Sequence, residues 1–120
     1  MAWELDKKDR SFQYGRLLAV MERGEADYYS KTQESRQTNA IKFMSEFRQR
    51  PWFVFERVNR QLHQAYLPRI TPWQANRYER LCGEIIAILR EFPEEELNKP
   101  LEDIYLLGYE LQRNSFFYKQ

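Results

Sequence analysis

Arginine dominates the side chains of this 120-residue chain that could do chemistry. With about 3.6 residues per helical turn, Arg50, Arg57, Arg60 and Gln64 fall near one another on a face opposite Val58 and Leu62. Arg77 and Arg80 stand three apart on a following helix, where Glu84 is placed to pair with Arg80. Lys42, Ser45 and Gln49 share the outward side of a preceding one, next to Arg48. Guanidinium groups match phosphate geometry and shed water readily. Lys42, Arg48, Arg50, Arg57, Arg60, Arg77 and Arg80 are therefore the candidate nucleic-acid backbone contacts, able to position a strand without reading its bases. The charge distribution points the same way. The net charge is only +1, yet residues 31–80 hold eight Arg and two Lys against four acids, and residues 81–120 hold four basic and eight acidic groups. A second reading stands beside it: a solvated face whose arginines pair with the acids of the C-terminal third, a common and weak arrangement.

Other chemistries lack their residues. One histidine and one cysteine, His63 and Cys82, cannot supply the ligands of a usual zinc site. No partner motif accompanies His63 that would orient it as a catalytic base, and Cys82 lies on the apolar side of its helix as a small hydrophobe. The four glycines are isolated, so no phosphate-cradling loop exists. Glu94-Glu95-Glu96 and Glu102-Asp103 flank the start of a helix, where negative charge complements the dipole. No catalytic residue, metal or cofactor is expected. Among aromatics at helix ends, Tyr28-Tyr29, Trp52 and Phe116-Phe117-Tyr118 have the chemistry to stack on unpaired bases. Packing is the favoured role, and Trp52, Phe116, Phe117 and Tyr118 are the candidate subunit-interface residues.

These side chains need helices to position them. With 42% apolar and 16% aromatic residues the chain is not a disordered one. Its apolar runs, Leu17–Met21 and Ile85–Leu89, fall far short of the roughly 20 residues that span a membrane. The opening MAWELDKKDR has no apolar core of an export signal. A lone cysteine suits a reducing cytoplasm, which is the expected location. Three- and four-residue apolar spacing predicts helices over Asp9–Tyr28, Asn39–Gln49, Pro51–Leu67, Pro72–Phe92 and Pro100–Phe117. Thr71-Pro72-Trp73-Gln74 reads as a capping box with proline at the first helical position. Residues 1–8 and 30–38 read as loops, and the whole as one all-α domain, a bundle of about five helices.

Four segments, in order, resemble the C-terminal region of the large subunit of type I-C CRISPR Cascade. Tyr14–Glu22 resembles its GRLxAVxE segment, and Arg50–Phe55 its proline followed by Val-Phe. Leu81–Ile86 with Phe92-Pro93 resembles LxGEI running on to Phe-Pro. Leu107–Arg113 resembles xGYxxQR, followed by an aromatic pair and a basic tail. Glu110-Leu111 departs from the aromatic and histidine common there. A free chain of this length opening at Met1 resembles the small subunit of that complex, made from an internal start within the large-subunit gene. An excised C-terminal domain of the large subunit is the other possibility. The resemblance implies a helical, non-catalytic subunit present in more than one copy. Its implied partners are the large and backbone subunits, further copies of itself, CRISPR RNA and target DNA, with no membrane. Its implied role is to brace the guide–target duplex and the displaced strand. It assigns no phosphate contact to any one residue.

Overall fold

Residues 11–21 are buried without exception, so the N-terminal half of their helix, α1 (Arg10–Thr32), is surrounded on all sides and forms the axis of the molecule. The computed structural model describes residues 4–32 and 37–117. Around α1 lie α2 (Asn39–Lys42), α3 (Met44–Gln49), α4 (Pro51–Gln61), α5 (Pro72–Leu89) and α6 (Tyr105–Ser115). The expected all-α fold holds: no strand occurs among the described residues. None of the described helices is long and apolar enough to cross a membrane.

Polar groups inside α1 are satisfied from elsewhere, as burial requires. Gln13 Nε2 donates to the carbonyls of Leu5 and Lys7 at 2.8 and 2.7 Å, and Ser11 Oγ accepts from Glu102 N at 2.9 Å. Asp27, on the last turns, takes Arg77 at 2.7 Å and Arg23 at 3.2 Å, joining α5 to α1. The core around this helix includes Leu17, Leu18, Met21, Phe47, Val58, Leu62, Ile85 and Leu89.

The closest packing joins α1 to α6. A Cβ placed on Gly15 would sit 1.8 Å from the carbonyl oxygen of Tyr105, and one on Gly108 would sit 2.0 Å from that of Phe12. Each glycine lets the other helix's backbone approach where any side chain would collide.

Several helix boundaries differ from the sequence expectation. Helix α1 continues through Ser30–Thr32, where a loop is expected; Gln33–Arg36 of that loop lie outside the described residues. The helix expected over Asn39–Gln49 is divided at Phe43, whose backbone (φ −98°, ψ 15°) closes α2 and opens α3. The helix expected to reach Leu67 changes at Gln61 into a π-helical turn, Leu62–Tyr66, and then a 3₁₀ turn, Leu67–Arg69. Pro68 has no N–H to continue an α-ladder, and Leu67 N instead reaches back to Leu62 O. Helix α5 opens on the expected capping box, Gln74 N donating to Thr71 Oγ1 at 3.2 Å and Thr71 N to Gln74 Oε1 at 3.1 Å. It ends at Leu89 rather than Phe92. The last helix begins at Tyr105, not Pro100. Ahead of it, Leu101 N donates to Arg48 O at 2.8 Å and Glu102 N to Ser11 Oγ at 2.9 Å, contacts that pin this stretch to α3 and α1.

Candidate nucleic-acid interface

Helix α2 has four residues, too few to be stable alone, and a carboxylate from α1 holds it in place. Glu25, fully buried, accepts from Asn39 N at 2.8 Å and Ala40 N at 2.9 Å, while Thr38 Oγ1 accepts from Ile41 N at 3.2 Å. The N–H groups of the first turn are all satisfied. Burial pushes the Glu25 pKa up, against the lowering effect of those backbone donors, of Tyr29 and of Lys42. This anchor places exposed Lys42 and half-buried Phe43 beside α4.

Helix α4 starts at Pro51, where a missing N–H costs nothing, and projects Arg57 and Arg60 outward. Arg57 lies over the ring of Phe43 at 4.9 Å and of Phe53 at 5.8 Å, and Arg50 lies over Phe53 at 5.2 Å. Both share one acid: Glu46 meets Arg50 at 3.1 Å and Arg57 at 3.7 Å. Arg48 pairs with Asp103 and lies against Tyr105. Arg60 and Lys42 are exposed and form no ion pair with the described residues. Lys42, Arg48, Arg50, Arg57 and Arg60 belong to the α2–α4 corner of the fold, where Arg50 and Arg57 meet over Glu46 and exposed Phe53, while Arg48 is turned toward Asp103 and Tyr105. The pairs there are open to solvent and correspondingly weak, so a phosphate can displace the carboxylates.

The remaining two candidates sit elsewhere. Arg77 is only 14% exposed at its side chain, paired with Asp27 and stacked on Trp73 at 4.7 Å and Phe116 at 5.1 Å. Its role in the fold is a tie between α5 and α1. Arg80 is exposed and meets Glu84 at 3.4 Å, the i,i+4 pair anticipated from spacing.

His63 and Cys82 have structural settings. Cys82 is buried, and burial pushes its thiol up to about 12, which leaves it unreactive. Among the described residues no three acids, histidines or cysteines are grouped to hold a metal. His63 Nδ1 lies 2.9 Å from Asn59 O and Nε2 lies 3.0 Å from Glu79 Oε2. Both neighbours only accept, so this setting favours the ring that carries a proton on each nitrogen. Burial lowers its pKa, but the Asn59 carbonyl and the Glu79 carboxylate outweigh burial and leave it above the ordinary 6.5. A raised folded-state pKa contributes stability that is full below the unfolded value and disappears as pH rises through the folded one. Urea unfolding should therefore show His63→Gln less stable than wild type by under about 1 kcal/mol at pH 6, since the pair is exposed. The difference should shrink above the folded pKa; a constant difference would contradict the charged pair.

Of the proposed interface aromatics, Trp52 is half-buried against Phe55, with centroids 5.2 Å apart, and lines a 410 Å³ cleft with Ile86, Leu89 and Phe92. Phe116 lies between Arg23 and Arg77, while Phe117 is 61% exposed. Tyr118 lies outside the described residues. Tyr29 is buried and Tyr28 packs on Tyr66 at 4.6 Å, so that pair belongs to the core edge.

Three side chains escape a reading of the sequence. Glu25 carries a signal: it falls four residues after Met21 and four before Tyr29, on the apolar stripe, where an acid needs a buried donor. Phe53 and Trp73 carry none, because exposure of an aromatic at a helix start has no local signature.

Two of the segments noted in the sequence meet in space. Gly15 faces the α6 backbone and Gly108 the α1 backbone; Arg16 Nε donates to Gln112 Oε1 at 2.8 Å; Tyr109 OH donates to Glu22 Oε1 at 2.7 Å, with Arg113 at 3.8 Å from the same carboxylate. These residues form the α1–α6 seam rather than a reactive centre. No curated protein matches the chain. A family model described as CRISPR-associated protein (Cas_Csd1) matches residues 1–117. Matched over nearly its whole length, the chain belongs to the Cas_Csd1 family of CRISPR-associated proteins.

Proposed function

We propose that the chain is a non-catalytic small subunit of the type I-C Cascade surveillance complex. In this reading the α2–α4 corner lies against nucleic-acid backbone and stabilises the guide–target duplex and the displaced strand. The observation that carries it is the corner itself: five cations on three short consecutive helices and their junctions. Arg60 and Lys42 form no ion pair with the described residues, and Arg50 and Arg57 share the carboxylate of Glu46. Guide pairing reads sequence in RNA-guided complexes, and strand exchange there is near-balanced. Modest backbone contacts therefore suffice to tip it. Several copies on one scaffold would add effective concentration to weak individual sites.

Arg57→Glu with Arg60→Glu should reduce R-loop formation while leaving complex assembly intact. The log–log salt slope should flatten by about 0.7–0.9 for each phosphate that the variant no longer neutralises. Equal R-loop yield across a salt series would overturn the assignment. A purely structural role, spacing or clamping subunits, is the second reading, favoured by exposed Phe117 and by the internal pairing of Arg48 with Asp103. Photocrosslinking from position 60 separates the two, since a clamp yields protein–protein adducts only.

A further inference from the structure

A cleft of about 740 Å³ opens between Leu5-Asp6, α1, α5 and the end of α6, a volume within the range of sites for small organic ligands. Arg16 lines it and is 4% exposed. Its guanidinium donates to Gln112 Oε1 at 2.8 Å, Gln13 Oε1 at 2.9 Å and Leu5 O at 2.7 Å, all neutral acceptors, and it forms no ion pair with the described residues. The charges that act on it are Glu84 and Asp6, both on the cleft wall; burial outweighs them and lowers its pKa. A buried cation without a contacting carboxylate is costly, and an anion entering the cleft would offset that cost. Arg80, also on the wall, is held only by its 3.4 Å contact to Glu84 among the described residues. Arg77 is already neutralised by Asp27, and its guanidinium covers one face of Trp73. Trp73 is nevertheless 64% exposed. An indole with a cation over its ring and most of its surface still exposed is a stacking platform.

We propose that this cleft takes one unpaired nucleotide of a single strand, its phosphate at Arg16 and Arg80 and its base against Trp73. The inference rests on the nucleic-acid reading above and adds a preference that reading lacks, because a base inside a duplex has no face free for Trp73. A carboxylate of a neighbouring protein would satisfy the cations equally but leave the indole face uncovered, which is why the nucleotide is favoured.

The test compares the full chain's affinity for a short oligothymidylate and for a duplex of the same length, by fluorescence anisotropy. Trp73→Ala should weaken oligothymidylate binding at least about fivefold, the lower end of what stacking one base provides, and leave duplex binding unchanged. Trp73→Tyr should restore most of the loss, and Arg80→Glu should weaken the single strand more than the duplex. Thermal melting of each variant separates these losses from unfolding, since Trp73 and Arg80 are both exposed. If Trp73→Ala and Arg80→Glu bind oligothymidylate as wild type while Arg57→Glu/Arg60→Glu weakens both ligands, the cleft assignment is wrong and the corner stands. If only the cleft variants weaken binding, the cleft stands and the corner falls. A Trp73→Ala chain that binds both ligands normally but no longer co-purifies with Cascade subunits would give the cleft to a protein side chain and overturn the proposal.

Discussion

Gly108→Ala should lower the melting temperature by about 10 °C or more, corresponding to about 3 kcal/mol in a domain of this size. The added Cβ would lie 2.0 Å from Phe12 O and 3.2 Å from Phe12 Cα, and neither can move without shifting α1. Gly15→Ala should do the same from the other side, its Cβ meeting Tyr105 O at 1.8 Å and Tyr109 N at 2.8 Å. Backbone atoms cannot rotate away as a side-chain tip can, so the cost sits at the upper end of overpacking. Helix propensity works in the opposite direction, since alanine in a helix is favoured over glycine by about 1 kcal/mol. Gly83 supplies the control. It is exposed in α5, and a Cβ added there would meet nothing within 4 Å, so Gly83→Ala should raise stability by about 0.5–1 kcal/mol. Melting curves of the three variants decide the matter; equal behaviour of Gly108→Ala and Gly83→Ala would mean that the α1–α6 seam is looser than the structure shows.

Glu25→Ala should destabilise by about 2–4 kcal/mol, because it strips two adjacent backbone donors, Asn39 N and Ala40 N, of their acceptor and opens a void. Glu25→Gln keeps an acceptor for one of them and should cost less. The pH dependence has a definite sign. Burial raises the folded-state pKa of Glu25 above 4.5, so its contribution is full below the unfolded value and declines as pH rises through the folded one. The gap between wild type and Glu25→Gln should therefore narrow from acid toward neutral pH in urea unfolding. A gap that widened would show that the ionised carboxylate, with its charge-assisted bonds, is the better-tolerated form. Because Glu25 holds α2, Glu25→Ala should also blunt the nucleic-acid binding proposed for the corner that carries Lys42 and Phe43.

Helix type and several starts are legible in the chain itself, since they depend on neighbours three or four residues away. The Thr71–Gln74 capping box, the start at Pro51 and the buried positions Leu17, Val58, Leu62, Ile85 and Leu89 all follow from such spacing. The boundaries that spacing misplaces lie where distant partners hold the backbone: Arg48 O and Ser11 Oγ accept from Leu101 N and Glu102 N just ahead of α6. The candidate site divides in the same way. Arg50 and Arg57 meet at Glu46 because one helix and its flank carry them, whereas Arg77, similar by periodicity, is tied to Asp27, fifty residues away.

Alone, then, the amino-acid sequence determined an all-α chain with a basic middle and without the residue sets of common metal or nucleophile chemistry, because composition and short-range periodicity express those properties directly. Tertiary structure decided which cations share a surface, that Glu25 anchors α2, that Gly15 and Gly108 let two backbones touch, and that Arg16 faces a cleft beside an exposed indole. Each of those depends on which residues folding brings within a few ångströms across long stretches of chain, and such proximity leaves no periodic trace along the sequence.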